Sequence, residues 1–173
     1  MKKHINSSGF SLIELILYVA LLGIIVSGMV TFGLNVVQIR IKNRVEQEVI
    51  ANTRLVTRRI NYEIRNSSAV NSVTAESISL ASGDSARNPT VISLSGGTVT
   101  IGYGSTGSCS TIVPCPLTSR NTTVQSLLFA DMSSGVSPQS VKYEVVVKGE
   151  VAGAGKSYYY KEYATGSAEV RSK

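Results

Sequence analysis

The chain has no tryptophan, one histidine at His4, two cysteines and two aspartates, Asp84 and Asp131, among 173 residues. Proton transfer near neutral pH leans on histidine and on paired acids. Past residue 4 there is no histidine, and no acid or cysteine lies in a recognisable nucleophile and base arrangement. An enzyme is therefore not expected, and no catalytic residue is assigned. Zinc normally takes four ligands, which Cys109 and Cys115 cannot supply without a nearby histidine. Asp84 and Asp131 lack the D-x-D spacing of a calcium loop. No metal and no cofactor are expected. Proline is missing before Pro89, so nothing of that kind interrupts the first half of the chain. The absence that matters most is of charge: from Phe10 to Val37 the one charged residue is Glu14.

That uncharged run is long. Leu15 to Ile39 gives about 25 residues, and roughly 20 suffice to cross a bilayer as a helix. A cleaved secretory signal fits worse, because its apolar core is about 7 to 15 residues and no Ala-x-Ala-like site follows here. A lone carboxylate in such a stretch costs about 2 to 4 kcal/mol unless partnered, which marks Glu14 as functional. Basic residues flank both ends, Lys2 and Lys3 before the run and Arg40, Lys42 and Arg44 after it, so charge alone does not orient the helix. The Ser-, Thr- and Gly-rich C-terminal portion and its closely spaced cysteine pair favour an oxidising, extracytoplasmic compartment. A disulfide between Cys109 and Cys115 is expected on those grounds.

A basic leader, Met1 to Gly9, ends in glycine; Phe10 follows, then apolar residues, with Glu14 four positions after the phenylalanine. This segment resembles the cleavage and methylation signal of type IV prepilins and the pseudopilins of secretion systems. The resemblance implies that a membrane-embedded prepilin peptidase cuts between Gly9 and Phe10 and methylates the new Phe10 amine. It also implies that Glu14 pairs with the amine of a neighbouring subunit and sets the axial register of a filament. Expected partners are the peptidase, other pilins or pseudopilins, an inner-membrane assembly platform and the lipid bilayer.

The chemistry of each position agrees. Glycine before the cut offers no side chain to obstruct a protease. The ammonium created on Phe10 and the Glu14 carboxylate have opposite signs, so their pairing offsets part of the cost of desolvating either. Many major pilins carry a proline midway along this helix. Here Gly23, Gly28 and Gly33 stand in the run instead, and they suit both flexibility and close helix packing.

Past the apolar run, Ile41, Val45, Val49, Val56, Ile60 and Ile64 recur at spacings of four and seven, which predicts that the helix continues with one buried face. From about Ser11 to Asn66 it would be roughly 80 Å long. Lys42 with Glu46, Arg44 with Glu48 and Arg59 with Glu63 are i,i+4 pairs suited to a solvated face, although Glu63 lies close to the apolar stripe. After Asn66 the composition turns to Ser, Thr, Gly and short β-branched runs. A hairpin is expected from Val91–Ser95 and Thr98–Tyr103 around Gly96-Gly97. A second is expected from the alternating segment at Val141–Val147, a Gly-rich connection over Gly149–Gly155, and Ser157–Tyr163, with Leu127–Phe129 as a further short strand. The fold class is α+β, a long N-terminal helix on a small antiparallel sheet. Its divisions are a leader at 1–9, a membrane or filament-core helix at 10–39, an amphipathic continuation at 40–66 and a β-rich head at 67–173.

The hydrophobic spacing from Leu127 through Pro138 to the aromatic strand and its Gly-Ser-Ala tail resembles J-type minor pseudopilins. The resemblances imply a single-pass inner-membrane protein with an extracytoplasmic head, later part of a periplasmic or surface filament. The implied role is that of a minor pilin or pseudopilin that initiates or caps assembly. Alternatives are a major pilin, a DNA-contacting pilin of an uptake system and, last, a signal-anchored enzyme. Two further patterns invite other readings. Gly102 to Gly107 spells G-x-G-x-x-G, but a Cys- and Pro-containing loop follows where a dinucleotide site needs a helix. Lys156, Tyr158, Tyr159, Tyr160, Lys161 and Tyr163 mix bases and aromatics as nucleic-acid surfaces do. A half-solvated edge strand accounts for the same residues.

Overall fold

The computed structural model describes residues 11–107, 109, 115–133, 139–153 and 156–171, with side chains left aside at 152, 153 and 156. Gly9, Phe10, His4, the leader lysines and Pro138 lie outside them. The chain divides into two compact units, Met1–Arg40 and Ile41–Lys173. A single helix, α1 (Leu12–Asn66), contributes to both.

In the first unit α1 runs unbroken through Gly23, Gly28 and Gly33, with nothing within 4 Å of where a Cβ would stand at any of them. The side chains from Leu12 to Leu34 are exposed. The hydroxyls in this stretch are satisfied within the helix: Ser27 Oγ donates to the Ile24 carbonyl at 2.8 Å and Thr31 Oγ1 to the Ser27 carbonyl at 2.9 Å. A polar group so bonded does not need water, which suits an apolar surround.

The second unit is α+β and contains two antiparallel sheets. Five strands, β1 (Ala69–Val73), β2 (Ser77–Ala81), β3 (Thr90–Ser95), β4 (Thr98–Tyr103) and β5 (Cys115–Pro116), are arranged in sequence order. Three longer ones, β6 (Thr122–Asp131), β7 (Ser140–Gly153) and β8 (Lys156–Glu169), form the other sheet. The β3–β4 hairpin turns at Gly96 and Gly97, both at positive φ (56° and 75°), a two-residue turn that a side chain at either position would strain.

Several expectations need correction. The connection at Gly149–Gly155 is mostly strand, because β7 runs to Gly153 and β8 starts at Lys156. The short strand at Leu127–Phe129 is the middle of ten-residue β6. A register shift between Val124 and Ser126 breaks its alternation, so Val124 and Leu127 both face inward. The β1–β2 pair, with Ile78 and Leu80 of β2 turned into the core, and the 3₁₀ turn at Ser85–Arg87 add to the expected elements.

The core is built from the inward rows of both sheets and from α1, where Val45, Val49, Val56, Ile60 and Ile64 are buried. Asn52 and Thr53 fill the gap in that stripe between Val49 and Val56. Asn52 exchanges bonds with Ser119: its Oδ1 accepts from the Ser119 N–H at 2.8 Å and its Nδ2 donates to Ser119 Oγ at 3.3 Å. Neither Lys42–Glu46 nor Arg44–Glu48 closes as an ion pair within 4 Å; Glu48 accepts from Ser119 Oγ and Asn121 Nδ2 instead, at 3.0 and 3.1 Å.

Candidate functional site

Glu14 stands in the first turn of α1, where the N-terminal end of a helix carries partial positive charge that favours an acid. Its own N–H donates to the Ser11 carbonyl at 3.0 Å, which anchors that turn. Leu12, Ile13, Leu15, Ile16 and Leu17 around it are all at least half exposed. A carboxylate is thus fixed at one end of an apolar helical surface that no described residue covers. Such a surface is stable in lipid or against other apolar helices. The helix is long and apolar enough to cross a membrane. Gly9 and Phe10, the expected cleavage and methylation positions, lie outside the described residues.

Residues 5–30 match the family described as the prokaryotic N-terminal methylation motif. The chain carries that motif. With the long apolar helix it is consistent with a type IV prepilin or pseudopilin, and a prepilin-type motif implies processing by a prepilin peptidase and assembly with other pilins. With the apolar helix it fits a membrane-anchored protein and points to a structural subunit. The match spans Gly9, Phe10 and Glu14 and stops at residue 30, so it speaks for the N-terminal segment alone. No curated protein and no solved structure shows significant similarity to the chain.

Among the described residues of the second unit, one carboxylate is buried in an ionic cluster that joins the helix to the head. Glu63 is 4% exposed, although it lies on the same helix as the solvated acids. Arg59 Nη2 pairs with it at 3.0 Å across one turn of α1. Arg87 Nη2, from the 3₁₀ turn, reaches both carboxylate oxygens at 3.0 and 2.9 Å. The Tyr103 hydroxyl on β4 donates at 3.0 Å and accepts from Arg59 Nη2. Burial works against the charge on Arg87, and the Glu63 carboxylate and Tyr103 outweigh it, so the Arg87 guanidinium is held above its usual range. The cluster joins α1, the 3₁₀ turn and β4, and it presents no nucleophile. The expectation of a solvated Arg59–Glu63 pair is corrected here. The signal that could have found the cluster was an acid set on the apolar stripe.

The other singled-out residues are placed as follows. Cys109 and Cys115 are joined as a disulfide, with Cα atoms 5.7 Å apart. Gly102 ends no strand-to-helix turn: β4 continues to Tyr103, and a turn over 104–107 folds back so that a Cβ on Gly102 would stand 2.9 Å from the Gly107 carbonyl oxygen. Asp84 caps the 3₁₀ turn by accepting from the Ala86 N–H at 2.9 Å. Asp131 is held below the usual carboxylate range by hydrogen bonds from the Ser133 hydroxyl and N–H. On β8, Tyr159, Lys161 and Tyr163 face outward, and Tyr158 and Tyr160 are half-buried. Among the described residues no group of three His, Cys, Asp or Glu is placed to hold a metal ion.

Proposed function

We infer that the chain is a pilin-like structural subunit, a minor pilin or pseudopilin whose activity is assembly. The observation that carries this reading is the methylation motif laid over the start of a helix that exposes its apolar side chains from Leu12 to Leu34 and carries Glu14 in its first turn. The leader, 1–9, is removed after Gly9, and the freed Phe10 amine is methylated. The helix at 10–39 stays in the bilayer until assembly, then enters a filament core. There Glu14 meets the Phe10 amine of a neighbour, and the pair compensates two charges that would each be costly alone. The continuation at 40–66 packs into the head at 67–173, which lies outside the cytoplasm. A minor subunit acts at the start or the tip of the filament with other minor subunits.

The test is expression with a prepilin peptidase and its assembly system. Gly9→Ala is expected to leave the leader attached, as read by mass. Glu14→Ala is expected to be cut and methylated normally but to be lost from the filament fraction. Normal assembly of the Glu14 variant sinks the pairing role. Filaments made mostly of this chain sink the minor rank.

A further inference from the structure

The lateral edges of the two sheets are treated unequally. On β1 the Val70 N–H donates to Gln139 Oε1 at 2.6 Å, so a side-chain amide occupies that edge. At the other end of the same sheet β5 is only two residues long. On β6 the Val124 and Phe129 N–H groups donate to the Gly97 and Ala75 carbonyls at 2.7 and 2.9 Å. β8 differs from all three. It pairs with β7 over 14 residues without a register shift, and its described backbone makes no other hydrogen bond. A long edge strand with no bulge and no proline is a template for another strand.

The charges on its exposed row indicate which strand. Along β8, Lys161, Tyr163, Thr165, Ser167 and Glu169 point to the same exposed face. On neighbouring β7 the lysines are already matched, Lys142 to Glu144 and Lys148 to Glu150, each at 2.7 Å. Among the described residues Lys161 and Glu169 make no ion pair; the Lys161 ammonium lies 4.9 Å from the Tyr163 ring centroid. They are opposite in sign and equally far from Thr165. We propose that the β8 edge binds a second copy of this chain, the two strands running antiparallel about Thr165.

In that register Lys161 of each copy faces Glu169 of the other, and Tyr163 faces Ser167. On the opposite face Ala164 meets Gly166 and Glu162 meets Ala168, so no bulky or like-charged pair collides. Moving the axis to Ala164 replaces both Lys–Glu pairs with Lys161 against Ser167, and moving it to Gly166 sets Lys161 against Arg171. The three lysines and three glutamates on this face balance, which leaves no positive stripe for a phosphate backbone. The surface lies on the head and stands independently of the methylation motif.

The free thiol needed to test it is easily introduced, because both native cysteines are bonded to each other. Full-length Thr165→Cys in detergent micelles is oxidised mildly, with Gln125→Cys, exposed on β6 of the same sheet, as the control for association through the helix. The expected result is a disulfide-linked dimer of Thr165→Cys several-fold above the control. Adding Lys161→Glu lowers that yield roughly ten-fold by placing like charges opposite each other, and Lys161→Glu with Glu169→Lys restores it. Equal cross-linking of the two cysteine variants overturns the proposal. So does a yield indifferent to charge reversal, or capture of a different protein or of a DNA strand in place of the second copy.

Discussion

Arg87 Nη2 donates to both carboxylate oxygens of Glu63, at 3.0 and 2.9 Å, and so ties a three-residue turn of the head to the long helix. Removing one member of a buried pair costs about 3 to 5 kcal/mol when the other is left fully buried. Here Arg59 and Arg87 are 39% and 36% exposed and regain water when the acid goes. Glu63→Ala is therefore expected to destabilise the head by about 2 to 3 kcal/mol, measured by urea unfolding. Glu63→Gln, which keeps the shape, is expected to lose less. A midpoint unmoved by Glu63→Ala would show that the cluster does not hold the turn.

The long helix and the core-facing side of β7 were legible because their periodicities are strong: spacings of four and seven in α1, and an alternation at Val141, Tyr143, Val145 and Val147 that Val146 alone interrupts. The two-sheet arrangement was not. β6 hides its length behind the register shift at Val124–Ser126, and β1 is mostly serine and valine, so the pairing of β1 with β2 decides its conformation. Of the proposed N-terminal site, Glu14 was conspicuous as a carboxylate in an apolar run, and Gly9 and Phe10 followed from the resemblance of the leader. Glu63 itself was flagged by its place beside the apolar stripe, but its partners Arg87 and Tyr103 were not, because they reach it from 24 and 40 residues away.

Gly149 on β7 lies against the helix, and a Cβ there would stand 2.6 Å from Val49 Cγ2 and 3.2 Å from Val45 Cγ1. Both valines are buried, so neither moves freely. Gly149→Ala is expected to cost about 1 to 3 kcal/mol through overpacking. Pairing it with Val49→Ala should recover part of that loss, because the second change removes the methyl that collides. Additive destabilisation in the double variant would count against the contact.

Tyr143 links pH to stability. Burial pushes its phenol above the ordinary value of 10.0, and the Asn61 hydrogen bond and the charge of Arg65 pull the other way without cancelling it. The folded state therefore keeps a proton that the unfolded chain has begun to lose. This contribution to stability is complete below about pH 10 and disappears as pH rises through the folded value. Tyr143→Phe cannot ionise, so its urea midpoint should fall less than that of the parent between about pH 9 and pH 11. At neutral pH the same variant is expected to be about 1 kcal/mol less stable, because Asn61 Nδ2 loses its acceptor at 2.7 Å. Parallel curves for the two proteins would remove Tyr143 as the source of alkaline sensitivity.

The Cys109–Cys115 bond closes a loop only six residues in span, yet it sits where the five-stranded sheet is weakest. β5 holds on through two pairings, Thr100 with Pro116 and Ile101 with Cys115, and through the Leu117 N–H, which donates to the Val99 carbonyl at 2.7 Å. A loop this short yields about 2 kcal/mol when cross-linked, from the freedom removed in the unfolded chain. Cys109→Ser with Cys115→Ser should lower global stability by that amount. It should also act locally, because a two-residue strand cannot keep its register by side-chain burial when Cys115 is only half-buried and Pro116 is exposed. Hydrogen exchange is therefore expected to quicken more at the Leu117 N–H than at the Phe129 N–H, which is held by the Ala75 carbonyl on the opposite side of the head's strand order. Equal acceleration at both would mean that the bond stabilises only the whole fold, with no separate hold on β5.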